Sequence, residues 1–457
     1  MVRDSALTAA PQEPAPTWWE RAACVFILFM LTGALVGPIF APTQEETPIL
    51  RLAWLPAYAM TAGLMLFRIE RLWRAWPAVV AIGLLVLWAY ASKWWSLFPE
   101  VTSRRAIALA ISSAFALYLG AAFRGPHLPR LLMHTGLIMA VGSLVMVFAF
   151  PAIGVHQADN AGLWRGLWYE KNQMGAVMVI VATASAAALA SPDPRRLLPA
   201  AALVLSAALV LATQSKTSLL CLMLGLGVVG GFWAMRQGGA AFSVFAVWAA
   251  VAGAGAGYLV WDSHSVEILE VLGKDPSLTG RTDIWEAILA RVAERPWTGY
   301  GYGAFWERDS VPGDWIRFET GWLVPNAHHG WLDVLVQLGW PGALMVGALA
   351  VFAATATVLR ANRAGAAEGW WALGFMTAAL MLSLSESILM AHQGLPWVLF
   401  LAVLTRAVLP DPVPARGAAA PLAVSARGGY RTGPRIVPSS AHASVRRPLP
   451  VRRPAGA

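Results

Sequence analysis

"LLMHTGLIMAVGSLVMVFAF" (Leu131–Phe150) decides the fold class. The run contains no Asp, Glu, Lys or Arg. About 20 apolar residues, each rising ~1.5 Å along a helix, cross the hydrocarbon core of a bilayer. Its apolar residues do not alternate with polar ones, so a strand reading fails. In lipid every backbone group needs an internal partner, which leaves the helix as the spanning element.

Working outward, similar runs centre on Ala22–Phe40, Ile49–Phe67, Trp76–Tyr90, Ile107–Phe123, Met174–Ala190, Leu197–Ala212, Leu219–Met235, Ala241–Trp261, Trp331–Leu359, Trp370–Leu389 and Leu395–Leu409. The expectation is an all-α polytopic membrane protein with about twelve transmembrane helices. Nine spans fill residues 22–261 and three fill 331–410. A long outer loop occupies 262–330, an amino-terminal segment 1–21 and a tail 411–457. Across the 457 residues, 58% are hydrophobic and 13% charged, against roughly 25% charged in soluble domains. A disordered chain is excluded, and a soluble enzyme fits poorly. The 23 tryptophans suit a chain with many membrane–water interfaces. Glu13 and Glu20 flank the first run, and no cleavage site follows it, so it reads as a span rather than a removed signal. Cys24 and Cys221 lie inside apolar runs and read as small buried side chains.

The net charge is +9, but most of it sits in one place. From Asp411 onward the chain carries eight Arg, no Lys and no further acid. This Pro/Ala/Gly-rich tail cannot bury a core and reads as disordered. Beside a membrane it fits anionic lipid headgroups, not nucleic acid. With the amino terminus in the cytoplasm, 21 of the 34 Lys and Arg fall on the inner side. An even number of spans returns the tail there, as the positive-inside rule requires. The outer cations run against that bias, and they include Arg104, Arg165, Lys171, Lys216 and Arg281. Cations in short outer loops point to an anionic ligand; the ordinary alternative is snorkelling at helix ends.

The outer loop contains "LTGRTDIWEAILARVAERPWTGYGYGAFW" (Leu278–Trp306). Thr282 or Asp283 is a natural cap, and Ile284, Trp285, Ile288, Leu289 and Val292 share one helical face. Pro296 ends that amphipathic helix. Gly280 and Arg281 precede its first turn and suit a diphosphate; Arg281 paired with Asp283 or Glu286 is the alternative. "GYGYG" (Gly299–Gly303) lacks a strand–turn–helix setting and reads as a tight loop. In "NAHHGWLDVLVQLGWPG" (Asn326–Gly342), Asn326 is a candidate cap that places His328 and His329 in a first turn. A histidine there is a candidate base. His329 and Asp333 stand four apart, and two ligands do not make a metal site. "GLWRGLWYEKNQMG" (Gly162–Gly175) and "TQSKTS" (Thr213–Ser218) bring Arg165, Lys171, Asn172 and Lys216 to short outer loops. Glu386, in "SLSESIL", is an acid at the outer end of an apolar run. It serves either as a partner for a basic group or second base, or as a helix-packing contact.

"YEKNQMG", "SKTS", "GRTDIW", "PWTGYGYGAFW" and "NAHHGWLDVLVQLGWPG" resemble, in order and membrane setting, the O-antigen ligase and exopolysaccharide polymerase superfamily. They are most similar to its exopolysaccharide-production branch. The likeness runs from about Trp94 to Gly342 and includes "SKWWSLFPEVTSRR" (Ser92–Arg105). The resemblance implies a GT-C-type glycosyltransferase of the bacterial inner membrane. Such proteins move glycan from an undecaprenyl-diphosphate carrier to an acceptor hydroxyl at the periplasmic face, with no cofactor and no metal. The family's essential basic residues match Lys216, Arg281 and His328. Many members have Arg where Lys216 stands, and Asn where His329 stands. Arg281 and Lys216 are then the candidates to stabilise the departing diphosphate. Arg104, Arg165, Lys171 and Asn172 support substrate binding, Glu386 is a further candidate, and His328 orients or deprotonates the acceptor hydroxyl. The partners implied are the lipid-linked donor and a glycan acceptor, with other polysaccharide export proteins as further candidates. Polymerase and ligase both remain open. A secondary transporter is the more distant alternative, and repeated halves with a midplane site would mark it.

Overall fold

The computed structural model describes residues 15–35, 47–157, 160–239, 281–321 and 323–410. The expected span Ala241–Trp261, Gly280, the first part of the outer loop and the basic tail lie outside them.

Helices replace every other expected apolar run. They are α1 (Trp18–Leu31), α2 (Pro48–Phe67), α3 (Ile69–Arg74), α4 (Trp76–Ala91), α5 (Pro99–Ala122), α6 (His127–Ala149), α7 (Lys171–Ala190), α8 (Leu197–Thr213), α9 (Lys216–Gly239), α10 (Arg281–Glu294), α11 (Val311–Thr320), α12 (Gly330–Arg360), α13 (Trp371–Leu382) and α14 (Leu395–Ala407). Among the described residues, seven helical stretches are long and apolar enough to cross a membrane: α2, α4 with its following turn, α5, α6, α7, α9 and α12.

Burial separates central helices from peripheral ones. The apolar stretches of α5 and α7 are 72% buried, whereas that of α2 is 22% buried. Peripheral helices turn Leu84, Leu87, Val145, Phe148, Val204, Val351 and Phe352 outward, the pattern expected where the surrounding solvent is lipid. Lipid tails are as apolar as leucine, so small residues that let backbones approach do the packing. A Cβ on Gly175 would collide with Ser218 on α9, and one on Gly374 would press on Thr183 of α7 and on Gly225 of α9.

The expected run Trp331–Leu359 is one long helix interrupted in the middle. Gly339 takes φ 66° and ψ −172°, and Pro341 follows. Pro341 has no N–H for the Gln337 carbonyl, and Gly339 turns the backbone out of helical geometry. The "GYGYG" loop occupies the break. Gly301 N donates to Gln337 O (2.9 Å), Tyr300 N to Val336 O (3.0 Å), and Trp340 N to Pro296 O (2.8 Å). Trp88 Nε1 donates to Leu338 O (3.2 Å). Each contact gives a partner to a backbone group that the interrupted ladder leaves exposed, worth about 1 kcal/mol apiece net.

α10 builds as the spacing predicts. Ile284, Ile288 and Val292 are buried, Trp285 is half-buried, and Leu289 alone of the expected face is exposed. With Tyr300, Phe305, Ile316, Leu335 and Val336 they form a small core against the start of α12. At the other end of α12, Arg360 Nη2 and Arg406 Nε reach Glu368 Oε1 at 3.4 and 2.8 Å. Glu368 lies on a single π-helical turn (Ala366–Trp370) and also accepts from Gly125 N.

Candidate functional site

Two corrections place the histidines. Asn326 does not cap α12. Its Oδ1 accepts from His328 N at 2.9 Å, closing a side-chain turn that holds His328 at φ 47°. That left-handed conformation is strained for a residue with a Cβ. The cap of α12 is His329, whose Nδ1 accepts from Leu332 N at 3.3 Å. Both histidines therefore precede the helix instead of lying in its first turn. The His329 ring meets Trp285 edge-on, centroids 5.1 Å apart, and burial holds its pKa below the usual imidazole value. His329 and Asp333 serve different partners, because Asp333 accepts from Trp306 Nε1 at 2.6 Å.

A third correction concerns Glu386. The run expected to extend to Leu389 stops as a helix at Leu382, and residues 383–394 cross back irregularly. Serines compete with helical bonding here: Ser383 Oγ donates to Leu380 O, while Ser383 O accepts from Gly330 N at 2.8 Å. This segment carries Glu386 to the mouth of α12. Its Oε1 accepts from Asn172 Nδ2 at 3.2 Å, and its Oε2 lies 3.8 Å from His328 Nδ1. The second separation is too long for a hydrogen bond but short enough for two charges to act on each other. Both side chains are about one-fifth exposed. Arg281 Nη1 donates to Ser385 O at 2.9 Å, next in the chain to Glu386. No bond joins Arg281 to Asp283 or Glu286 among those the described residues form.

Lys171 and Asn172 open α7 behind the N-cap Glu170, one turn earlier than expected. Lys216 opens α9, directly after Gln214 reverses the chain at φ 51°. Lys216 is exposed, and its charge acts on that of Lys171. α10 is described from Arg281. A cation at the start of a helix works against the helix dipole, which favours anions there by ~0.3–1 kcal/mol each. Two helices here open on lysine, and Arg281 stands in the first described turn of a third.

The remaining candidates part from this group. Arg165 donates from Nε to Ile153 O (2.7 Å), from Nη2 to Ala152 O (3.3 Å) and from Nη1 to Tyr169 O (3.4 Å), tying up its own loop. Arg104 is half-buried. Its neighbour Arg105 holds the "GYGYG" loop through Gly303 O and pairs with Glu307 at 2.6 Å. Sequence reading missed Ser385, Asn326 as a turn residue, and Arg105.

A model of the O-antigen ligase family matches residues 201–347. Over that stretch the chain is similar to the O-antigen ligases. The matched stretch includes Lys216, Arg281 and His328. A curated relative, the exopolysaccharide production protein ExoQ of Rhizobium meliloti (strain 1021), is 24% identical over 336 residues, which cover 70% of this chain and 74% of that protein. These similarities agree with the superfamily resemblance in the motifs and with an integral membrane protein of exopolysaccharide or O-antigen biosynthesis.

Proposed function

We propose that this chain is an inner-membrane glycosyltransferase of GT-C type that polymerises polysaccharide repeats from an undecaprenyl-diphosphate carrier at the periplasmic face. The observation that carries this reading is the Asn172–Glu386–His328 set with two cations next to it: Lys171, which precedes Asn172 in the chain, and Arg281, bonded to Ser385 beside Glu386. In the proposed reaction the acceptor hydroxyl oxygen bonds to C1 of the donor sugar while the C1–O bond to the diphosphate breaks. Lys216, Lys171 and Arg281 stabilise the charge growing on the departing diphosphate, more in the transition state than before it. His328 takes the hydroxyl proton, and Glu386, held by Asn172, steadies the imidazolium that forms. The same reading puts the 262–330 loop and the site outside, both ends of the chain inside, and the basic tail against anionic lipid.

Ligase activity on a lipid-anchored core is the second reading, favoured by the family whose model matches. Deleting the gene and analysing the glycans separates the two. Single repeats left on the carrier mean polymerase, and full-length chains left on it mean ligase. Unchanged glycans would contradict both.

A further inference from the structure

Beside His328 lies a cavity of about 170 Å³ between the "GYGYG" loop, the first half of α12 and the 387–392 segment. A cavity of ~150 Å³ admits a benzene-sized ring, so this volume is on the scale of one sugar ring. Its wall mixes apolar side chains with hydrogen-bonding groups. Asp333, 6% exposed, accepts from Trp306 Nε1 at 2.6 Å and Gln337 Nε2 at 3.4 Å, both on Oδ1. Both bonds end on the same oxygen, so Oδ2 remains for a ligand hydroxyl. Gln337 Oε1 accepts from Gly303 N at 2.7 Å, which fixes its amide and leaves an N–H for a ligand oxygen. The Trp306 and Tyr302 side chains supply apolar ring surface.

The cavity adjoins the reacting centre through two residues. Ser387 follows Glu386 in the chain, lines the cavity and donates to Asn326 Oδ1 at 3.3 Å; that same oxygen accepts from His328 N. The charge around it is wrong for a diphosphate. Arg105, the one Arg or Lys among the described residues that line it, is paired with Glu307 at 2.6 Å. Lys216, Lys171 and Arg281 are not among the residues that line it.

We propose that this cavity binds one uncharged pyranose ring and that, given the transferase reading above, the ring is the terminal sugar of the acceptor glycan. Its attacking hydroxyl then points toward His328, which receives the proton as the oxygen bonds to donor C1. Asp333 and Gln337 set specificity, and among the described residues an acidic sugar finds no Lys or Arg there except Arg105, which Glu307 holds.

The test uses the full-length chain in detergent and two readouts. Saturation-transfer NMR is measured with methyl glucoside, methyl galactoside and methyl glucuronide. Initial transfer rates are measured from a synthetic polyprenyl-diphosphate glycan against acceptor concentration. The parent binds a neutral glycoside and not the glucuronide. Asp333→Asn and Gln337→Leu abolish that signal and raise acceptor KM by about tenfold, the cost of one lost hydrogen bond, while donor KM stays put. Ser387→Ala, the mildest change, shifts acceptor KM in the same direction. Neutral glycoside binding that ignores both variants, or no binding by the parent, overturns the site; a cavity holding only water gives that result. Transfer with unaltered acceptor KM in both variants also overturns it and leaves the transferase reading standing. Binding that depends on both residues in a protein that transfers nothing keeps the pyranose site and removes the transferase reading.

Discussion

Glu386→Gln isolates the charge behind His328. Glutamine keeps the size of the side chain and still offers Asn172 an amide oxygen, so the 3.2 Å contact survives. What disappears is a negative charge 3.8 Å from His328 Nδ1. At that separation the attraction to an imidazolium is about 4 kcal/mol at an effective dielectric of ~20, and about 1 kcal/mol at that of water. Both side chains are about one-fifth exposed, so the loss falls between those bounds. At ~1.36 kcal/mol per decade, kcat drops by roughly 5-fold to 10³-fold. The assay is the initial rate of glycan transfer by purified protein at saturating donor, with the thermal midpoint as a folding control. A rate within twofold of the parent, with normal folding, would refute the link between Glu386 and His328.

Lys216→Arg retains substantial transfer and Lys216→Ala loses most of it, since a cation at the start of α9 is what matters and not its shape; equal activity of the two variants would contradict this. His329 gives a pH dependence with a definite sign. Its folded pKa lies below the ordinary 6.5, so an unfolded chain binds the proton first on acidification. The neutral cap's contribution is complete above about 6.5 and is lost as the pH falls through the folded value. His329→Asn keeps a capping side chain and should flatten the acid limb of a plot of thermal midpoint against pH. At the other end of the bundle, Glu368→Gln leaves Arg360 and Arg406 without their shared carboxylate. It should cost about 3–5 kcal/mol of stability and lower the thermal midpoint, while acceptor and donor KM stay unchanged.

The apolar helices were legible because lipid imposes a simple rule on composition and length; among the described residues, seven of the twelve expected spans are long and apolar enough to cross a membrane. α10 was legible because Ile284, Ile288 and Val292 repeat at helical spacing and Pro296 stops the helix. The break in α12 was not: apolar residues continue across Gly339, and the groups that occupy the break come from Pro296–Gly301, far away in sequence. Helix register settled Arg105 over Arg104 as the residue holding Gly303, and adjacent arginines look alike in sequence. "NAHHG" fits two local structures, a helix cap at Asn326 or a side-chain turn followed by a cap at His329. Tertiary contacts of Asn326 with Ser387 and of His329 with Trp285 favour the second. Arg165 read as a free outer cation because its partners are backbone carbonyls, which carry no sequence signature.

The central claim is that Arg281 and His328 act directly in glycan transfer. The measurement is transfer from a synthetic polyprenyl-diphosphate glycan by purified parent, Arg281→Ala and His328→Ala proteins, each confirmed as folded, with and without a metal chelator. The account predicts an active parent that ignores the chelator. It predicts Arg281→Ala slower by roughly 10²–10³, the cost of removing one preorganised donor to a developing anion, and His328→Ala with no measurable transfer. Near-normal transfer by His328→Ala, or a parent that works only with metal present, would contradict it.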